Sequence, residues 1–188
     1  MNGKIRIIGG QWRGRKLQVP DKQGLRPTPN RIRETLFNWL ASELPGSSCL
    51  DLFAGSGALG IEAASRGAQH VVLVEQERAI VQSLKHQTQT FPNANNLEIV
   101  CADALKFLQQ TPAKPFDIVF LDPPFAHNFQ ELCCNLLEQH GWLKPHAYIY
   151  IEAEHQLKTL KLPNASWQIV RQQTAGQVKF FLIMNYEL

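Results

Sequence analysis

Residues 51 to 60, DLFAGSGALG, restrict the possible folds of this chain more than any other stretch. Asp51-Leu52-Phe53-Ala54 closes an apolar run of strand character, and Gly55-Ser56-Gly57-Ala58-Leu59-Gly60 leads straight into helix-forming sequence. Glycines at GxGxxG spacing allow a tight turn, let a ligand approach bare backbone, and let helix and strand pack closely. A helix starting there offers free N–H groups and a partial positive charge to an anionic or polar ligand. The spacing alone suits NAD, FAD and S-adenosylmethionine (SAM) alike. Two acids narrow it. Asp51 stands before the glycines, where dinucleotide folds usually carry apolar residues, and Glu75 closes the next apolar run, HVVLVE, where a ribose-hydroxyl acceptor belongs.

From Ser48 onward strand-like and helix-like stretches alternate. The apolar runs are CLDLF, HVVLVE (70–75), LEIVCAD (97–103), FDIVFLD (116–122) and AYIYIEAE (147–154), with helical stretches at 57–66, 77–91, 104–110 and 129–140. Repeated βα units with near-continuous apolar strands predict an α/β fold with a mostly parallel sheet and helices on both faces. WQIVRQQT and QVKFFLIMNY are separated only by Ala175-Gly176 and read as a terminal antiparallel hairpin. This layout, with an acid before the glycines and another one strand later, resembles the Rossmann-like SAM-dependent methyltransferases. A dinucleotide dehydrogenase would usually continue in parallel.

The net charge of +3 hides an asymmetry. Residues 1–33 carry nine basic side chains against the single acid Asp21, and the remainder carries ten against fifteen. A basic arm on a mildly acidic body implies contact with a polyanion, most simply nucleic acid. Residues 4–19 alternate around glycines as a hairpin would, with Arg6, Arg13, Arg15 and Lys16 placed to follow phosphates and Trp12 to pack or stack. RPTPNRIRETLFNWLASEL follows as an amphipathic helix, with Thr28 as its cap, Pro29 at its first position, and Ile32, Leu36, Phe37, Leu40 and Leu44 on one face. Arg26, Arg31 and Arg33 cluster at its start. Residues 1–47 are therefore expected to form a basic RNA-contacting extension and 48–188 the methyltransferase core.

Ligands gather at the carboxyl ends of strands in such a sheet, and four of the strands end there in an acid: Asp51, Glu75, Asp103 and Asp122. Asp51 is expected to hold the methionine end of SAM, Glu75 the ribose hydroxyls and Asp103 the adenine amino group, since an ionised carboxylate accepts without donating. Phe53 and Ala104 are placed with them around the cofactor. The most specific signal is Asp122-Pro123-Pro124-Phe125 after the fourth strand. The prolines end the ladder and stiffen the turn, so that the Asp122 carboxylate and the Pro123 carbonyl face the cleft. An exocyclic amine on a base is a poor nucleophile because its lone pair is delocalised. Two acceptors on its hydrogens favour pyramidal nitrogen, and Phe125 supplies a ring on which the base stacks.

DPPF in this position resembles the amino-methyltransferase signature, Asp, Asn or Ser followed by Pro-Pro and an aromatic residue. Together IIGGQWRGRKL, RPTPNRIRETLFN, DLFAGSGALGIEAASRGA and LDPPF resemble the bacterial RsmD family across nearly the whole chain. Pro29 is one departure, where a polar residue is expected. The resemblance implies methyl transfer from SAM to N2 of a guanine in 16S ribosomal RNA. It implies Asp122 to Phe125 at the base, Gly55, Gly57, Glu75 and Asp103 on SAM, and the basic arm on RNA. The residues themselves leave adenine N6, cytosine N4 and a protein glutamine open as targets, although glutamine-methylating relatives typically carry NPPY. A nicotinamide-dependent oxidoreductase leaves DPPF and the basic arm unexplained, and a non-catalytic RNA-binding module leaves the intact glycines and acids unexplained. His127, Asn128 and Phe129 follow DPPF as lesser candidates for substrate contact.

At 188 residues with 44% hydrophobic content, the chain is long enough for one well-packed domain. Cys49, Cys101, Cys133 and Cys134 show no CxxC spacing and read as reduced thiols rather than metal ligands or disulfides. No apolar run is long enough to span a membrane, and MNGKIRIIGG lacks the apolar region of a signal peptide. The expectation is a cytoplasmic, monomeric, metal-free enzyme acting on the small ribosomal subunit.

Overall fold

The computed structural model describes residues 3–19, 28–123, 129–157 and 159–186. Strands β1 (Lys4–Arg6) and β2 (Lys16–Gln18) pair antiparallel, and helix α1 (Asn30–Trp39) follows. The main sheet begins with β3 (Ser48–Asp51), α2 (Ala58–Ser65), β4 (His70–Glu75), α3 (Arg78–Gln89) and β5 (Leu97–Cys101). It continues with α4 (Ala104–Leu108), β6 (Phe116–Leu121), α5 (Phe129–Gln139), β7 (Leu143–Glu154), β8 (Trp167–Ala175) and β9 (Val178–Asn185).

The seven strands lie in the order β5-β4-β3-β6-β7-β9-β8, parallel up to β7, with β9 antiparallel to both β7 and β8. The terminal hairpin thus joins the sheet through its second strand. Within this sheet the chain enters at β3, winds outward to β5, then crosses back to place β6 beside β3. That reversal opens a crevice between the carboxyl ends of β3 and β6, the position at which open α/β sheets take their ligands.

Alternate residues of β6 serve two cores. Ile118 and Phe120 face a cluster built with α1, α2 and α3, and Val119 and Leu121 face a cluster built with α4 and α5. Burial on both faces is why the strand is apolar without interruption from Ile118 to Leu121 rather than alternating. Strand β7 begins four residues before the expected 147, because Lys144, Pro145 and His146 break the apolar pattern. Its pairing slips between Phe116 and Ile118, and His146 sits at φ 61.

The N-terminal segment is packed into this body. Ile5, Ile7, Trp12, Leu17, Val19, Ile32, Leu36 and Phe37 belong to the same apolar cluster as β3, α2 and β6, so residue 47 marks no break in packing. Glu62 of α2, fully buried, organises the contact. It accepts from the Ile8 and Gly9 amides at 2.8 Å each and from Arg66 Nε at 2.7 Å, and it faces Arg33 at 3.7 Å. Ser65 receives the Trp12 amide at 2.9 Å and donates to the Gly9 carbonyl at 2.6 Å. A Cβ on Gly10 would stand 1.8 Å from the Ser65 carbonyl oxygen, so glycine is obligatory in that turn.

Two expected RNA contacts are corrected by this packing. Trp12 is 1% exposed, lies 5.1 Å from the Phe91 ring and donates its indole N–H to the Pro92 carbonyl, so it stacks on the protein and offers no face to a base. Arg33 is 0% exposed and donates to the Arg6 carbonyl and Asn30 Oδ1, so it meets no phosphate. The expected Thr28 cap is also corrected. Pro29 occupies the N-cap of α1, which makes no side-chain capping bond, and the Thr28 hydroxyl is turned inward instead.

Candidate active site

The glycine loop is shaped by packing as much as by ligand access. Gly57 caps α2 at φ 77, and a Cβ on it would fall 2.6 Å from Ile61 and 2.9 Å from Leu84. A Cβ on Gly60 would meet Asp51 Oδ2 at 3.1 Å. That closeness lets the Gly60 amide donate to Asp51 Oδ2 at 2.9 Å, tying the first turn of α2 to the end of β3.

Asp51 is 2% exposed, and burial lifts its carboxyl to about 7, with the nearby Glu75 pushing the same way against the backbone N–H groups of Gly60 and Phe53. Glu75, at the end of β4, accepts from the Gly55 amide at 3.0 Å through Oε2 and from the Glu77 amide at 2.9 Å through Oε1. Asp103 caps α4, accepting the Lys106 amide at 2.9 Å, and Ala104 is buried behind it. Phe53 meets Phe129 edge-on at 6.3 Å, linking the glycine loop to the start of α5.

Across the crevice Asp122 and Pro123 follow the end of β6, with Pro123 buried. Pro124, Phe125, His127 and Asn128, like Arg26 of the arm, lie outside the described residues. Behind Asp122 stands a group that sequence reasoning missed. Thr28 Oγ lies 3.4 Å from Asp122 Oδ2 and donates to Glu152 Oε1 at 2.9 Å, and the Tyr150 hydroxyl donates to the same oxygen at 2.8 Å. Glu152 is 3% exposed. Burial, then Glu152 and Asp51, drive the Asp122 carboxyl well above the usual carboxylate range, and burial raises Glu152 as well. The available signal was an acid at the fourth place of a buried IYIEA run. Glu62, missed likewise, is the one acid in a helix whose other residues are small or aliphatic.

The basic side chains separate into two places. Arg31, exposed, lies in the first turn of α1, three residues after Thr28. Arg13, Arg15 and Lys16 are exposed near the C-terminal ends of α2 and α3: Arg15 donates to the Thr90 carbonyl at 3.0 Å and sits over the Phe91 ring. Arg6 is exposed on β1. Among the described residues no group of His, Cys, Asp and Glu is placed to hold a metal, and no helix is long and apolar enough to cross a membrane.

Comparison with known proteins sets this geometry in a family. A family model described as conserved hypothetical protein 95 matches residues 5–184. "Ribosomal RNA small subunit methyltransferase D" of Escherichia coli (strain K12) is 51% identical over 181 residues, 96% of this chain and 90% of that protein. The chain belongs to the RsmD family. The protein of the same name from Haemophilus influenzae is 45% identical over 97% of this chain and 95% of its own length. Among solved structures, yhhF from Escherichia coli shares the RsmD fold seen here with a TM-score of 0.89, 50% identity and coverage of 97% and 98% of the two chains. The fold extends beyond close relatives: SMU.776, solved in complex with SAH, has a TM-score of 0.69 at 18% identity, over 90% of this chain and 53% of that one.

Proposed function

We propose that the protein transfers a methyl group from SAM to the exocyclic N2 amine of a guanine in 16S ribosomal RNA, within the small subunit or a precursor of it in the cytoplasm. The observation that carries this reading is the pairing of two acid groups across one crevice, Asp51 and Glu75 at the glycine loop and Asp122 at the end of β6. The RsmD relatives named for small-subunit rRNA methylation support the substrate class, and guanine N2 rests on the resemblance of DPPF and the arm.

The residues at the glycine loop fit SAM. Asp51 and Glu75 are buried acceptors on adjacent strand ends, matched to hydroxyl and amine donors and to a cationic ligand and opposed to a pyrophosphate. That balance disfavours the nicotinamide reading. When bound, SAM supplies an electrophilic methyl on a sulfonium. Asp51 and Glu75 would hold it, with Asp103 at the adenine end. Asp122 would accept from the target amine, localising its lone pair, and Phe53 and Phe129 would wall the space between the two sites. Positioning of this kind carries most of the rate in a direct displacement.

The test is Asp122→Ala, with modified nucleosides mapped by mass in the product. Turnover should fall on the order of 100-fold, as for other preorganised polar groups, with SAM affinity within a few-fold of wild type. Near wild-type turnover removes Asp122 from the reaction, and a methyl found on adenine N6 replaces the guanine assignment.

A further inference from the structure

The crevice holds more acid than the positioning of one amine requires. Glu152 projects from β7, the strand next to β6, and is withdrawn from solvent. Its Oε1 takes two hydroxyl hydrogen bonds, from Tyr150 on its own strand and from Thr28 on the segment leading into α1. The Thr28 oxygen that donates to Glu152 has lone pairs left, and Asp122 Oδ2 is the carboxyl oxygen beside it at 3.4 Å. The Thr28 hydroxyl has one hydrogen, held by Glu152 at the shorter distance and within reach of Asp122 Oδ2; once Asp122 is protonated, the hydroxyl can accept from it while donating to Glu152.

We infer that Glu152 is a positioning residue for the transfer step: through the Thr28 hydroxyl it forms with Asp122 a proton-sharing pair that takes up the proton released by the methylated amine. This rests on the reading of Asp122 as the group that meets the amine. In the step, the methyl carbon exchanges its bond to sulfur for a bond to nitrogen, and sulfur keeps the electron pair of the broken bond. The nitrogen, having given its lone pair, carries one proton too many. Asp122 takes that proton, and the pair shares it through Thr28 until product departure lets it pass to water. The crevice is thereby spared a free proton. Asn would hold the amine as well as Asp, but only an acid can take the proton.

The titratable groups facing the pair among the described residues are Asp51 from β3 and Tyr150 from β7. Glu152 is the like charge that acts most strongly on Asp122, and its repulsion works with burial to raise Asp122. The pair then titrates as a unit, and transfer fails as pH falls through its range, because a pair already protonated cannot accept.

Glu152→Gln keeps the volume and the acceptor for both hydroxyls while removing the charge and the proton capacity. Single-turnover rates on small subunits across pH should show the plateau reduced about 10- to 100-fold, the acid limb displaced to lower pH, and the apparent constant for SAM within twofold. Thr28→Val, which removes the bridge without touching Glu152, should lower the plateau in the same direction, and Thr28→Ser should restore it. A Glu152→Gln enzyme with wild-type plateau and limb overturns the inference, as does wild-type turnover in Thr28→Val should Glu152→Gln fail to fold. A purely structural role would lower the melting temperature without moving the limb, and that result also overturns it. Nucleoside mapping of the same reactions separates this from failure of the target assignment, since a methyl on another atom changes the product and leaves the rate comparison intact.

Discussion

Arg33 of α1 and Glu62 of α2 face each other at 3.7 Å with neither side chain reached by solvent. Arg33 Nε and Nη1 have no hydrogen-bond partner there, so the Glu62 charge is their principal compensation. Glu62→Ala would leave that guanidinium uncompensated and strip the Ile8 and Gly9 amides of their acceptor. Breaking a buried pair from one side costs about 3–5 kcal/mol. Urea unfolding should show a loss of that size, and a loss under about 1 kcal/mol, typical of an exposed pair, would mean the contact is not formed in solution.

Trp12 gives a second stability prediction. Trp12→Ala should cost about 3–5 kcal/mol, as truncation of a buried aromatic does. Affinity of the folded variant for RNA should change little, whereas loss of a base-stacking ring would cost roughly 1–3 kcal/mol of binding. Unfolding curves and RNA titrations below the melting range of both proteins decide between the two.

Asp51 ties stability to pH. Its carboxyl titrates near 7 when folded, against 3.8 as its ordinary value. The folded state therefore binds more protons than the unfolded between those values, and stability falls as pH rises through that window. Asp51→Asn removes the penalty while leaving an oxygen for the Gly60 amide. In the ligand-free protein it should match wild type near pH 4 and exceed it by a few kcal/mol at pH 8, since each tenfold change in proton affinity is worth about 1.4 kcal/mol. SAM affinity should drop in the same variant. Equal stability of the two proteins at pH 8 would show that Asp51 stays ionised in the folded state.

Substrate choice should follow shape. Contacts from the arm to phosphate give affinity and orientation but little sequence, so a structured small subunit should be methylated better than deproteinised 16S RNA or a short hairpin. Arg13→Ala with Lys16→Ala is the clean probe, because Arg15 also holds the Thr90 carbonyl and Phe91. The double variant should raise the apparent RNA constant and flatten its salt dependence, the logarithmic slope falling by about one for each phosphate no longer neutralised. SAM binding should be unchanged. Equal efficiency on the three substrates would require sequence readout instead.

The βα succession, the acids on the strand ends and the terminal hairpin were legible because each is local. Asp51, Glu75 and Asp122 end apolar runs, and a run is read without knowing what lies beside it. Arg33 and Trp12 were misread for the converse reason: their charge and ring look like an RNA surface until α2 is folded against them. Glu152 was missed because its meaning comes from Thr28, distant in sequence and joined to it by a single hydroxyl. Thr28 itself was read through the proline after it. The preference of helix starts for a threonine cap lost to a buried carboxyl, Glu152, that needed a donor.

Asp51 and Phe120 pair across neighbouring strands although α2, β4, α3, β5 and α4 all lie between them in the chain. The glycine loop with Asp51 and Glu75 belongs to the half made first, and Asp122 arrives only when β6 returns to the middle of the sheet. Glu152 comes one strand later still. A nascent chain that has reached α4 thus carries the cofactor half of the crevice without the half that faces the base. Pairings so distant in sequence are slow to form in general, and catalytic competence cannot precede the docking of β6 and β7.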